Sequence, residues 1–173
     1  MNSTYLHLLL NHFPIIGTLV GSGLLLWGII KKQAQTQSIA AGVLFLMAVI
    51  ALPVYLTGEP AEETVENLPG ISETMMELHE ESANLAIWIM GITGIVSLIA
   101  ILLHRQNNKF SGKAYLIAFL LSLLTFGAMV RTGYYGGRIR HSEIRDANAG
   151  NTVNENGAEN GKEASGEKEK DDD

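Results

Sequence analysis

The chain has 173 residues, 47% hydrophobic and 17% charged, with 12 Lys and Arg against 18 Asp and Glu, a net charge of −6 and no cysteine. All the acids fall in two segments, 8 from Glu59 to Glu81 and 10 from Glu143 to Asp173, which excludes an ordinary soluble domain, whose surface needs charge interspersed along the chain. The missing cysteine excludes disulfides, thiolate metal sites and a cysteine nucleophile, and residues 1 to 145 are neutral overall, with no basic surface for nucleic acid beyond a few arginines near Arg131.

The first predicted element is a membrane span over about residues 6 to 30, since His12 to Ile30 is apolar apart from Thr18, Ser22 and the glycines and a bilayer selects about 20 such residues per helix. No Lys or Arg precedes it and it is longer than a signal-peptide core, so it is expected to stay in the mature protein. Lys31 and Lys32 close it. A second span is expected over about residues 39 to 57, ending at Thr57-Gly58 and kinked near its end by Pro53, which removes one backbone donor. Residues 59 to 81 read as a polar connection, within which Thr74-Met75-Met76-Glu77 has the form of a capping box starting a helix. That helix is expected to run into a third span, about 83 to 103, and a fourth covers about 114 to 135, closed by Gly136-Gly137 in the usual manner of a helix C-terminus. The fold class is therefore all-α: an integral-membrane four-helix bundle over residues 1 to 145. The tail from 146 to 173, rich in Asn, Gly, Glu, Lys and Asp, is expected to be disordered, having too little apolar surface to offset the entropy of ordering it.

Lys31 and Lys32, with Arg105, Lys109 and Lys113, fall in the first and third loops. The positive-inside rule then predicts a multi-pass protein of the inner (cytoplasmic) membrane with both termini outside. Arg131, Arg138, Arg140 and Arg145 point the other way, but the two loops agree with each other and with the alternation a hairpin array requires.

In that topology His7, His12, His79 and His141 share one membrane face and His104 lies at the other. Imidazoles from three helices thus approach one layer at the outer face, and imidazole suits heme iron, copper or zinc within a helical bundle. His7 and His12 point about 140° apart on an ideal helix, so they do not ligate one ion unless the helix is distorted, which Pro14 can do because it cannot bond the Leu10 carbonyl. The economical bis-histidine pair takes His12 with His79 or His141. Arg131, Arg138 and Arg140 near that layer suit heme propionates, glutamates of the acidic loop or lipid phosphate, or they snorkel to headgroups. Gly17-Thr18-Leu19-Val20-Gly21, continued by Gly91 and Gly94, reads as close helix packing. His7, Asn11, Thr18 and Ser22 form one stripe turned to the bundle interior, where Asn11 is placed to orient an imidazole.

Three functions follow as expectations. The leading one is a b-type heme-binding electron-transfer subunit, with His12 and either His79 or His141 as axial ligands. The second is copper or zinc binding by His7, His12, His79, His141 and Glu80, to which Met75 and Met76 add thioethers suited to Cu(I). The third is an accessory subunit of a membrane complex or a homo-oligomer. No Ser-His-Asp pattern, P-loop or dinucleotide fingerprint occurs, so a binding subunit is expected rather than an enzyme. The eight loop glutamates form a face on which a basic redox protein can dock at the outer side.

His12-Phe13-Pro14, Pro53 with Thr57-Gly58, His79 ahead of the third span, and Thr132-Gly133 through Gly136-Gly137 to His141 together resemble a bacterial four-helix membrane family classed as a domain of unknown function. Its members have a Leu-His-x-x-x-x-His-Phe-Pro-like start and a Thr-Gly-x-x-Gly-Gly-x-x-x-x-His-like end, and are sometimes fused to Rieske or c-type cytochrome modules. The resemblance covers about residues 5 to 142. It implies a place in electron transfer, by association, and matches His12, Pro14, His79, Gly136, Gly137 and His141. Ser142-Glu143-Ile144 stands where the family has a glycine-rich stretch, and no redox module is fused in this sequence.

Overall fold

The computed structural model describes residues 3 to 141 and is all-α. Chain contacts divide it into Met1–Arg140 and His141–Asp173. Only His141 of the second unit is described, and the expected tail lies outside the described residues.

The first unit contains α1 (Ser3–Leu10), α2 (His12–Ile30), α3 (Ala34–Leu56), α4 (Gly58–Val65), α5 (Glu73–Arg105) and α6 (Ser111–Arg138). Four helical stretches, Ser3–Ile30, Ala34–Val65, Glu73–Arg105 and Ser111–Arg138, are long and apolar enough to cross a bilayer, making a multi-pass membrane bundle. α2 packs on α3, α3 on α5, α5 on α6, and α6 back on α2. Large side chains such as Leu56, Trp88, Ile95 and Leu124 stay exposed around the ring, the surface that lipid covers. His7, His12 and His79 lie at one end of the bundle, and the turns bearing Lys31, Lys32 and Lys109 lie at the other.

Small residues bring α2 against α3. A Cβ on Gly21 would meet Leu44 at 2.9 Å and one on Gly28 would meet Gln37 at 3.0 Å, so a side chain at either position would push the neighbour away and loosen this approach. Gly94 does the same for α5 on α3, with a Cβ there lying 2.5 Å from Ala48, whereas Gly91 faces open space. The center of the ring carries hydroxyls: Ser22 donates to Ser122 at 2.7 Å, and Thr93 and Thr125 pair at 2.8 Å. In lipid, where helices gain nothing from hiding apolar surface from one another, such bonds help hold the bundle together.

Several boundaries differ from expectation. The first span is broken at Asn11, where the Leu10 carbonyl faces a proline that has no N–H to give it. Residues 58 to 65 form α4, where only a polar connection was expected; Pro60 and Glu59 in its first turn suit a helix start. α5 begins at Glu73 with Ser72 as N-cap and no side-chain cap bond, so the Thr74 capping box is not used; the Ser72 N–H instead donates to the Ile139 carbonyl at 3.0 Å. α6 runs through Gly136 and Gly137 to Arg138, so these glycines do not end the helix.

Candidate functional site

α1 and the start of α2, the end of α3, α4, the first turns of α5 and the last turns of α6 enclose a cavity of about 330 Å³, toward the lower end of small-ligand sites. His7, His12 and His79 line it, with Asn11 and Pro14 beside them. Glu59, Glu62 and Glu80 line it as well, while Ala51, Ala86, Ile87 and Met129 form its apolar part. Burial of Asn11 Oδ1 leaves that acceptor without a hydrogen-bond partner.

His7 Nδ1 lies 2.9 Å from the Val54 carbonyl oxygen. That carbonyl belongs to the last turn of α3, where the chain breaks at Thr57 before α4 and helix carbonyls lack their usual partners. The Thr57 hydroxyl also reaches it, at 3.0 Å. His79 Nδ1 lies 2.9 Å from the Thr132 carbonyl oxygen of α6. A carbonyl oxygen only accepts, so in each ring Nδ1 carries the hydrogen and donates it. The neutral ring then has its lone pair on Nε2, the arrangement that prepares an imidazole to bind a metal. The two rings are also near enough to interact electrostatically.

Gly136 is what lets His79 reach α6. A Cβ there would stand 2.9 Å from Nδ1 and 3.0 Å from Cε1, so the ring occupies the space a side chain would take. Gly58 faces His7 more loosely, at 3.7 Å from Cε1. Of the two glycines expected to close the helix, only Gly136 is approached closely, and by an imidazole; a Cβ on Gly137 would meet nothing.

The expected site residues are distributed as follows. His7, His12, His79 and Glu80 come together at the cavity, with His12 exposed at the start of α2. Arg131, Arg138 and Arg140 are not among the residues lining it. Arg131 lies over the Tyr135 ring at 5.6 Å and Arg138 over Tyr134 at 4.0 Å, and Arg140 is exposed. His141 is exposed and belongs to the second unit. His104 sits near the far end of α5, its ring 6.2 Å from that of Tyr115. Met76 is buried in α5, and neither it nor Met75 lines the cavity. Among the described residues no three His, Asp or Glu side chains form a group able to hold a metal ion.

Sequence reasoning missed Glu59 and Glu62 as cavity residues. Their spacing of three within an eight-residue helix places them on one face, a signal that was readable once α4 was recognised. It also missed Val54 and Thr132, which act through main-chain oxygens and carry no side-chain signature. Comparison of the chain with family models, curated proteins and solved structures finds no match.

Proposed function

We propose that the protein is a membrane electron-transfer subunit whose cavity would hold a b-type heme, with His7 and His79 as the residues that would bind its iron. One observation carries this reading: two imidazoles from separate helices each have Nδ1 on a main-chain oxygen, and among the described residues no three His, Asp or Glu side chains group closely enough to hold a metal ion. Two donors are half of a tetrahedral zinc site, but they complete the coordination of an iron whose other four ligands come from a porphyrin. His7 takes the role that the sequence suggested for His12, because its ring is held on the Val54 carbonyl at the end of α3. Heme held in this way supplies one-electron transfer. Arg131, Arg138 and Arg140, outside the cavity lining but toward the same end of the bundle, would meet propionates only where these extend beyond the cavity.

A second reading, copper or zinc in the same cavity, is favoured by Glu59, Glu62 and Glu80, whose negative charges attract a cation and repel propionates. The positive-inside pattern supports placing this end at the outer face of the bacterial inner membrane, with both termini outside. There the glutamates of residues 59 to 81 provide a docking face for a basic redox protein.

Heme extraction and metal analysis on one detergent-purified sample separate the readings. About one heme per chain, lost in His79→Gln, is the expected result. A heme-free protein from heme-replete cells, holding stoichiometric copper or zinc, would replace it with the second reading.

A further inference from the structure

Beneath the histidines the structure gathers a different set of donors. Met47 of α3 and Met90 of α5 belong to one buried cluster, with Met129 of α6 packed against it. They converge on a single turn of α2: Met47 Sδ lies where a side chain on Gly17 would be, and Thr18 Oγ1 is 3.8 Å from Met90 Sδ and 3.9 Å from Met129 Sδ. Met90 and Thr18 are fully buried. The chain has six methionines; apart from Met1 and the pair Met75-Met76, these three are all of them, and each comes from a different helix.

Leucine fills such a core with a better-defined shape, and the spans use it freely, so two thioethers at the Thr18 hydroxyl and a third against the neighbouring Gly17 form a donor set as well as a packing element. Thioethers are soft and uncharged. They select Cu(I) over zinc, Cu(II) and magnesium, which prefer nitrogen or oxygen. A monovalent ion is also the least costly metal charge to bring into the membrane interior, where no carboxylate stands by to neutralise it. Met129 and Ile87 line the histidine cavity, so the cluster adjoins a chamber whose Glu59, Glu62, Glu80 and imidazoles attract cations. The three rotatable bonds of each methionine let the sulfurs close on an ion without moving the helices.

We propose that Met47, Met90 and Met129 form a Cu(I) site reached through the histidine cavity. It is independent of what that cavity itself holds.

The test is an anaerobic titration of the full chain in detergent with Cu(I) in competition with a chromophoric Cu(I) chelator, followed by X-ray absorption at the copper edge. Protein is used both as purified and from cells deprived of heme, so that an occupied cavity does not block entry. The expected result is about one tightly held Cu(I) per chain with sulfur-dominated coordination, weakened roughly tenfold or more in Met90→Leu and in Met129→Leu. These swaps conserve volume, so the fold persists. Met75→Leu and His79→Gln should leave that affinity unchanged. No Cu(I) bound by either preparation, coordination dominated by nitrogen, or affinity lost in His79→Gln and retained in both Met→Leu variants would overturn the proposal.

Discussion

At Gly136 a single hydrogen atom in place of a methyl group decides where an imidazole rests. Alanine there would put a carbon 2.9 Å from His79 Nδ1, and because a side chain moves more readily than a helix, the ring would leave the Thr132 carbonyl. Gly136→Ala is therefore expected to lose the proposed heme while the helix gains about 0.5–1 kcal/mol from the better helix former. Gly58→Ala, facing His7 at 3.7 Å, should keep the cofactor. Cofactor content and thermal unfolding of the two variants check both halves, and equal retention in both would show that Gly136 does not place the ring. Of the four imidazoles expected at one end of the spans, His7, His12 and His79 line the cavity, and that grouping was legible from their places in the predicted spans. The partners of His7 and His79 were not, because a main-chain oxygen becomes available through the register between helices, and residue identities do not report register.

Helix ends were legible where the chemistry is local. Lys32 and Asn107 each take a left-handed conformation, with φ of 53° in both, just past α2 and α5. In each turn the following N–H reaches back to close the helix, Gln33 to the Gly28 carbonyl and Asn108 to the Leu103 carbonyl, both at 2.9 Å. The polar runs that mark these turns in the sequence are the residues that make these caps. Gly136-Gly137 misled because glycine most often ends a helix, whereas here tertiary contact with His79 gives Gly136 its reason within one. α4 was hidden because its eight residues carry an acidic surface with Ala61 alone buried, too little apolar pattern to distinguish a helix from a loop. Between elements, the Ser22 to Ser122 bond ties α2 to α6. Ser122→Ala is expected to cost about 0.6 kcal/mol and no more than about 1.7 kcal/mol, the range found for hydrogen bonds between membrane helices. Unfolding in mixed micelles measures it, and a loss well above that range would mean that the hydroxyl has a role beyond joining two helices.

For the whole molecule, a cavity with imidazoles and carboxylates at one end of an otherwise apolar bundle gives the protein a polarity across the membrane. The absence of cysteine makes its direction easy to test. A single cysteine at Glu66, in the turn after α4, is expected to react with an impermeant maleimide added to spheroplasts, and one at Asn107 only after lysis. The opposite pattern would place the histidines at the cytoplasmic face and remove the outer redox partner from consideration. The four-span architecture was legible because a bilayer imposes a length and a composition on every helix. The order of helices around the ring was not, since it depends on which glycines meet which neighbours.

The most direct measurement is the oxidised and reduced absorption spectrum of the purified protein beside those of His7→Gln and His12→Gln. Two imidazoles on one iron give a low-spin spectrum with sharp reduced α and β bands. The expected result is that these bands are present in the wild type, unchanged in His12→Gln and abolished or converted to high spin in His7→Gln. Bands that survive in His7→Gln and disappear in His12→Gln would contradict the pairing of His7 with His79, and a colourless wild type from heme-replete cells would contradict the heme itself.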